Sequence, residues 1–213
     1  MLRLRLKFGR GEQLKYLSHL DLMRLWERAL RRAGLPAAYS EGFSPHPRIS
    51  LASPLAVGVT SRAELMDVFL NRMASTELFM QKVVPQLPQG IEILDVFAVN
   101  IDAPSLQSRL RQAEYLVELE TDKGVEQVTA EMKSLLAKES LPWHHSRDTG
   151  ERFYDLRPLV ADLWLIEVKE TVCRIGMRLR CDASGTGRPE QVVRALNFTR
   201  PPACIERTKL IFA

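Results

Sequence analysis

Cysteine is scarce in this sequence, with three residues among 213. Cys173, Cys181 and Cys204 are odd in number and widely spaced, and this spacing matches neither a zinc site nor an iron–sulfur site. The motifs CxxxCxxC, HExxH and GxSxG are also absent, so the sequence offers no motif for a radical cluster and none for two common hydrolase sites. We therefore expect buried thiols in a reducing compartment, with no metal site and no cofactor.

The chain also lacks a long apolar run. None of its apolar segments approaches the roughly 20 residues that a membrane-spanning helix needs. The first eight residues alternate charged and apolar side chains, whereas a signal peptide requires a continuous apolar stretch. Both observations predict a cytoplasmic protein with no membrane partner. Apolar residues make up 46% and charged residues 26%, which is typical of a globular chain that buries a core.

Positive charge is concentrated in the first quarter of the chain. Residues 1–50 contain ten Lys or Arg residues against four Asp or Glu residues, an excess of +6, whereas the whole chain has a net charge of +4. A basic segment on an otherwise nearly neutral protein predicts an acidic partner, of which nucleic acid is the commonest.

The start of the chain predicts a strand followed by a helix. Residues 2–8 alternate apolar and basic side chains, a period typical of a half-buried strand with a basic outer face. Ser18 is a good N-cap for a helix, and Gly34 and Pro36 end it. The apolar stripe of this helix comprises, at helical spacing, Leu22, Leu25, Trp26, Ala29, Leu30 and Ala33.

The remaining patterns predict two similar halves, each with strands and helices in the order of the ferredoxin-like βαββαβ unit. In the first half, the elements after the first helix are a strand over 49–59, a strand over 64–70, a helix over 76–87 and a strand over 91–99. The second half has strands over 114–120, 152–160, 163–168, 172–181 and 204–212, and helices over 124–138 and 189–196. We therefore predict an α+β fold of two tandem ferredoxin-like lobes, 1–102 and 113–213, joined by a linker over 103–112, with an extra strand in the second lobe.

Four polar features are candidates for a functional site, and the first surrounds His19. This histidine stands at the N-terminus of the predicted helix, beside Lys15 and Ser18, where backbone N–H groups without helical partners can bind an anion. A helix N-terminus lowers the proton affinity of a histidine, which suits a general base. Alternatively, the side chain only supports the helix cap.

The second candidate is the segment from Tyr39 to Arg48, whose two prolines and one glycine exclude regular structure. With Ser44 and His46, it combines hydroxyl, imidazole, guanidinium and aromatic groups on a stiff loop, which suits phosphate contact and base stacking. Alternatively, the segment is an ordered connection whose Phe43 packs into the core.

The third candidate is a row of arginines on the predicted first helix. Arg24, Arg28 and Arg31 share one face by their i, i+4, i+7 spacing, and a row that faced phosphates would give a salt-dependent affinity. Otherwise the row is a solvated helix face, with Glu27 positioned to pair with Arg31.

The fourth candidate is a glycine-containing segment before the last predicted helix, formed by Ser184, Gly185, Gly187 and Arg188. Glycines before a helix N-terminus can cradle an anion. The Gly-Lys-Ser/Thr ending of a Walker loop is absent, so the alternative is a tight turn.

Several segments resemble the radical SAM-linked protein family. The most specific are Ser-His-Leu-Asp at 18–21 and Gly-Phe-Ser-Pro-His-Pro at 42–47, and Tyr-Asp-Leu-Arg-Pro-Leu at 154–159 and Gly-Arg-Pro-Glu at 187–190 agree as well. Members of this family are encoded beside, or fused to, a radical SAM protein, and often near genes for ribonuclease G and ribosomal proteins. The resemblance covers nearly the whole chain. It implies a radical SAM partner and a role in RNA modification, RNA processing or ribosome assembly, and it assigns no reaction to this chain.

The leading hypothesis is therefore a non-catalytic RNA-binding module that holds tRNA or rRNA for a radical SAM partner. The residues expected to contact RNA are Lys15, Ser18, His19, Arg24, Arg28, Arg31, Tyr39, Ser44, His46 and Arg48. One alternative is a metal-independent endoribonuclease, similar in outline to CRISPR-repeat-cleaving enzymes, with His19 or His46 as the catalytic candidate. Another alternative is a pure protein–protein adaptor.

Overall fold

Two units make up the chain in a computed structural model that describes residues 1–147 and 150–213. The first unit is Met1–Leu110 and the second is Arg111–Ala213. Helices and strands occur in both units, so the predicted α+β class is confirmed. In the described part of the chain, none of the helices combines the length and the apolar character that spanning a membrane requires.

The first unit is built around its N-terminal strand. Its elements, in chain order, are β1 Leu2–Arg10, α1 His19–Arg32, β2 Ile49–Leu51, β3 Thr60–Leu70, α2 Thr76–Val83, β4 Ile91–Val99 and the short α3 Leu106–Arg109. Strand β1 pairs antiparallel with β3 on one side and with β4 on the other, and β2 pairs antiparallel with β3. The order across the sheet is therefore β4-β1-β3-β2.

The strand predicted over 49–59 is wrong beyond Leu51. Pro54 lacks an N–H for a sheet, and Gly58 has a positive φ of 85°, so the chain turns between β2 and β3. The helix predicted over 76–87 ends as α2 at Val83, where Pro85 follows in a single 3₁₀ turn.

The core of the first unit lies between β1 and α1. The apolar side chains of β1 are buried and face the apolar stripe of α1, whose Trp26 is fully buried. Phe8 meets Trp26 edge to face, with ring centroids 5.0 Å apart. Ser18 caps α1 by accepting a hydrogen bond from the Asp21 N–H at 3.2 Å, so both the cap and the amphipathic pattern of this helix are confirmed.

The basic face predicted for β1 is wrong at Arg3 and Arg5. Arg3 is 4% exposed and its Nη2 lies 2.6 Å from the Asp67 carboxylate, which is 1% exposed. Arg5 donates from Nε to the other oxygen of Asp67 at 2.8 Å. Period-two alternation identifies the two faces of a strand, but it does not show what lies beside them. Here the Asp67 carboxylate on the neighbouring strand β3 pairs with both arginines, so this part of the face is an ion cluster and not a free basic surface.

The second unit has strand β9 at its centre. Its elements are β5 Leu110–Glu120, α4 Val125–Ala137, β6 Pro142–Arg147, β7 Gly150–Asp155, β8 Val160–Lys169, β9 Val172–Asp182, β10 Gly185–Thr186, α5 Pro189–Ala195 and β11 Cys204–Phe212. Strand β9 pairs antiparallel with β5, with β8 and with the short β10. Strand β11 lies on the far side of β5, and β6 pairs with β7 in a separate hairpin. Residues 103–112, predicted as a linker, contain α3 and the first residues of β5.

The strand predicted over 152–160 is wrong, because β7 ends at Asp155. The Asp155 carboxylate accepts the N–H groups of Leu141 and Arg157, and Pro158 lies in a 3₁₀ turn between β7 and β8. The guanidinium group of Arg157 donates to the carbonyls of Leu136 and Lys138 at the C-terminal end of α4, and to the Val160 carbonyl at the start of β8. The side chains of Asp155 and Arg157 therefore hold the turn between β7 and β8 through hydrogen bonds to the backbone.

Gly176 is required by the packing of β8 against β9. It lies opposite Trp164, and a Cβ at this position would stand 2.0 Å from Cε2 of the indole ring. Gly176→Ala is therefore expected to lower the free energy of unfolding by about 1–3 kcal/mol, since the indole must leave its position. Urea denaturation of the full chain measures this loss. In a Trp164→Ala background the same substitution should cost little, and equal costs in both backgrounds would contradict the explanation.

Candidate nucleic-acid interface

The segment between α1 and β2 is a rigid loop that projects from the first unit. Arg48 donates its N–H to the Ala38 carbonyl at 2.7 Å, and Ser40 donates its N–H to the His46 carbonyl at 2.9 Å. The Ser40 hydroxyl accepts the His46 N–H at 3.1 Å. These bonds close the base of the loop, so residues 41–45 protrude together, and the predicted absence of helix and extended strand is confirmed.

The tip of this loop exposes an aromatic side chain to solvent. Phe43 is fully exposed, so the alternative that it packs into the core is wrong. Gly42 precedes it with a φ of 126°, a conformation that favours glycine and turns the chain at the tip. Ser44 is also exposed, and the ring of Tyr39 is about half exposed at the base of the loop. A fully exposed phenyl ring has little effect on folding, which makes it available for contact with another molecule.

The loop touches α1 through a histidine–carboxylate contact. His46 Nδ1 lies 3.5 Å from the Glu27 carboxylate, which is largely buried. The alternative interpretation of the row placed Glu27 in a pair with Arg31, but among the described residues Glu27 approaches His46. By helical spacing, Glu27 lies between Arg24 and Arg31, so the loop contacts α1 beside the row of arginines.

The arginine row of α1 is exposed to solvent. Arg24 lies 3.4 Å from the Asp21 carboxylate, a weak contact because both of these side chains are more than half exposed. Among residues 1–147 and 150–213, no carboxylate is within ion-pair distance of Arg28, Arg31 or the neighbouring Arg32. The row therefore keeps most of its positive charge unneutralised, which favours an anionic partner.

A groove of about 700 Å³ runs beside this row in the first unit. One wall is α1, which contributes Leu25, Arg28 and Arg32, and the other is the turn at residues 85–88. The groove mixes apolar side chains with guanidinium groups, so it suits a partner that is both apolar and anionic.

The other residues predicted to contact RNA, Lys15, Ser18 and His19, lie in the turn before α1 and at the start of this helix. Lys15 forms an ion pair with Glu12 at 2.7 Å, which neutralises its charge. Ser18 donates its hydroxyl proton to Asp21 at 2.7 Å while it caps the helix. His19 is half buried, and in the described residues its Nδ1 is buried without a hydrogen-bond partner. Lys15 and Ser18 are thus engaged by the turn and the cap, whereas the imidazole of His19 is only partly exposed.

Arg48 presents its guanidinium group above an aromatic ring. Its Cζ lies 4.6 Å from the centroid of Phe69, a cation–π contact, and the Arg3 group approaches the same ring at 5.5 Å. Arg48 remains exposed and stands at the base of the loop. The loop, Arg48 and the arginine row therefore all belong to the first unit, and His46 links two of them.

The predicted glycine-containing segment lies in the second unit, where it lines a cavity. Ser184, Gly185 and Arg188 line a cavity of about 300 Å³, together with side chains from β7 and β9. Gly187 donates its N–H to the Arg180 carbonyl at 2.9 Å, and a Cβ on it would meet the Leu159 carbonyl at 2.8 Å. Gly187 is therefore required for packing, and its N–H is engaged within the protein.

Sequence reasoning missed the residues that complete this cavity. Arg152 and Arg180 line it from strands that are distant in sequence, and no local pattern marks them. Tyr154 also lines it and begins the segment 154–159, but no sequence pattern placed that segment in a site. It also missed Arg10, which is fully buried and binds backbone carbonyls of the turn before α1. In the described residues, no group of three or more His, Cys, Asp or Glu side chains is arranged to hold a metal ion.

Two solved structures are similar to the whole chain at low sequence identity. A chain in the crystal structure of a Cbf5–Nop10–Gar1 complex has a TM-score of 0.54 and 9% identity, over 97% of this chain and 48% of that chain. A chain in the archaeal box H/ACA sRNP Nop10–Cbf5 complex has a TM-score of 0.51 and 10% identity, over 96% of this chain and 46% of that chain. The present chain thus spans about half the length of those chains, and at this identity the likeness shows the fold alone.

No curated protein matches the chain. A family match extends over residues 3–189, which is most of the sequence. The chain therefore belongs to the bacterial family described as "Uncharacterized protein conserved in bacteria (DUF2344)".

Proposed function

We propose that this protein is an RNA-binding accessory module that holds tRNA or rRNA for a radical SAM partner in RNA modification or processing. The observation that carries the proposal is the row of exposed arginines on α1, which lies beside a rigid loop with a fully exposed Phe43. Guanidinium groups contact phosphates, and an exposed ring stacks on a base. An unpaired single-stranded segment of an RNA offers both groups at once.

The similarity to chains of an H/ACA sRNP, a ribonucleoprotein, supports an association with RNA. Fold likeness alone carries little functional weight, so the proposal depends on the arginine row and the loop. The radical SAM partner rests on the sequence resemblance.

We also propose that each unit is a ferredoxin-like lobe, with 1–102 and 113–213 as the lobes and 103–112 as the linker. In the first unit β1 lies between β3 and β4, and α1 and α2 connect the strands as in a split βαβ unit. In the second unit β5 lies between β9 and β11, with the hairpin of β6 and β7 as an insertion. These orders support the repeat.

Replacing the arginine row should weaken RNA binding and reduce its dependence on salt. In the triple variant Arg24→Gln, Arg28→Gln, Arg31→Gln, up to three phosphate contacts are lost. The slope of log K against log salt should then become shallower by about 2–3, since each contact contributes about 0.7–0.9. Binding of labelled total tRNA and of rRNA fragments at low and moderate salt measures both quantities.

A matched control removes three positive charges elsewhere, with Arg72→Gln, Lys82→Gln and Lys138→Gln, all of which are exposed. This control should keep a salt slope close to that of the original chain. Equal losses in the two triple variants would mean that net charge, and not the row, sets the affinity. If the original chain binds no RNA even at low salt, the RNA-binding proposal is wrong and the protein–protein adaptor takes its place.

The contact between His46 and Glu27 favours a second candidate, a metal-independent endoribonuclease. A carboxylate beside an imidazole orients the ring and can help it to take the proton of a 2′-hydroxyl group, while Arg48 stabilises the phosphate. The RNA recovered from the binding experiment is examined on a denaturing gel. If the RNA is intact after long incubation, this activity is excluded. If the original chain shortens the RNA and the His46→Ala variant does not, the activity is supported.

A further inference from the structure

The cavity of about 300 Å³ in the second unit brings three arginines together from separate parts of the chain. Arg152 comes from β7, Arg180 from β9, and Arg188 immediately precedes α5. The hydroxyl-bearing residues of the lining are Tyr154, Ser184 and Thr186. Guanidinium groups repel one another, so their convergence on one concave surface favours an anionic occupant.

The lining of the cavity contains little negative charge that would repel an anion. Asp155 is the lining carboxylate, and its Oδ1 already accepts the N–H groups of Leu141 and Arg157 at 2.8 and 2.9 Å. Arg180 donates from Nε to Asp182 at 3.0 Å. Within residues 1–147 and 150–213, neither Arg152 nor Arg188 has a carboxylate at ion-pair distance. Two of the three guanidinium groups therefore have no neutralising carboxylate among the described residues.

The cavity would bind its anion through side chains and not through a helix terminus. Helix α5 begins with Pro189, which has no N–H to offer, and the Gly187 N–H is bonded within the protein. Ser184 also uses its N–H on the Asp182 carboxylate. The guanidinium groups of the lining are available as donors, and their planar forks match the oxygens of a phosphate.

The rest of the lining suits an organic group attached to the phosphate. Pro158 and Leu159 supply apolar surface, and the half-buried Tyr154 holds its hydroxyl group on Gln191 at 2.6 Å. Pockets for small ligands begin at about 300 Å³ and combine apolar walls with a few polar groups. We infer that this cavity is a binding site for the phosphate monoester of a nucleotide, either as a free mononucleotide or as the 5′ end of an RNA.

Calorimetric titration of the full chain tests this site. Adenosine monophosphate, inorganic phosphate and adenosine are compared, together with one short RNA prepared with a 5′-phosphate and with a 5′-hydroxyl group. The phosphorylated ligands should bind, and adenosine should not. Arg152→Gln and Arg188→Gln should each weaken binding about tenfold, because each removes charge-assisted hydrogen bonds. Arg194→Gln, an exposed change of equal charge on α5, should leave the affinity within about twofold.

The two sources of phosphate give different results. Binding of the mononucleotide identifies a free nucleotide as the ligand. If the mononucleotide does not bind and the short RNA binds more tightly with a 5′-phosphate than with a 5′-hydroxyl group, the ligand is an RNA end. If no phosphorylated ligand binds, or if the two cavity variants bind as well as Arg194→Gln, the inference is wrong. The site is independent of RNA binding by the first unit, so the triple arginine variant of α1 should retain its affinity for the mononucleotide.

Discussion

Asp67→Asn is expected to lower the free energy of unfolding of the first unit by about 3–5 kcal/mol, the usual cost of breaking a buried ion pair from one side. Asp67 is 1% exposed and accepts hydrogen bonds from both Arg3 and Arg5. Asparagine keeps the size of the side chain and one acceptor oxygen. It removes the negative charge, so the buried Arg3 and the partly buried Arg5 lose their carboxylate.

Fluorescence of Trp26 during urea denaturation measures this change, in a Trp143→Phe, Trp164→Phe background that leaves Trp26 as the single tryptophan. Trp26 is fully buried in the core of the first unit and reports its unfolding. Asp95→Asn is the matched control, because Asp95 is exposed on β4 and should change the free energy by less than about 0.5 kcal/mol. Similar urea midpoints for the two variants would show that the buried cluster does not stabilise the unit.

The elements that could be predicted are those whose signals are local. Helix α1 has its cap, its apolar stripe and its stop within residues 18–36, so its bounds follow from the sequence. Strand β11 was predicted over 204–212 and occurs as Cys204–Phe212. Strand β6 was missed, because its pairing with β7 depends on another segment of the chain.

Local patterns did not show which of the charged side chains are exposed to solvent. The excess of positive charge in residues 1–50 suggested a basic surface, but Arg3 and Arg10 are buried and Lys15 is paired with Glu12. Whether an arginine faces solvent or a carboxylate depends on the strand that lies beside it, and Asp67 is 64 residues from Arg3. The row on α1 was predictable because helical spacing alone decides which side chains share a face.

In the candidate site, too, some features follow from the local sequence and others depend on the fold. The stiffness of the loop from Tyr39 to Arg48 follows from its prolines and glycine, which are local. The exposure of Phe43 does not, since a loop has no period from which burial can be inferred. Arg152, Arg180 and Arg188 come together only because β7 and β9 lie beside the segment before α5 in the fold. The spacing of these residues in the sequence therefore does not predict the cavity.

Arg10→Met is expected to lower the free energy of unfolding by about 3 kcal/mol or more, since each buried carbonyl left without a donor costs about 1–3 kcal/mol. Arg10 is fully buried, and its Nη2 donates to the carbonyls of Val59 and Ala56 at 2.6 and 2.7 Å. Its Nη1 donates to the Leu17 carbonyl at 3.2 Å. One guanidinium group thus joins the end of β1 to the turn before α1 and to the turn before β3.

Arg10→Lys separates the charge from the geometry of this contact. An ammonium group keeps the charge but cannot reach carbonyls of both turns with the fork of a guanidinium group, so we expect a loss between those of Arg10→Met and the original chain. Arg72→Met, an exposed arginine, should change the stability by less than about 0.5 kcal/mol. Because Arg10 holds the turn that leads into α1, hydrogen exchange should accelerate first at residues 56–59 and in the first turn of α1. Uniform acceleration across the unit would instead mean that Arg10 stabilises the whole core and does not position the start of the arginine-bearing helix.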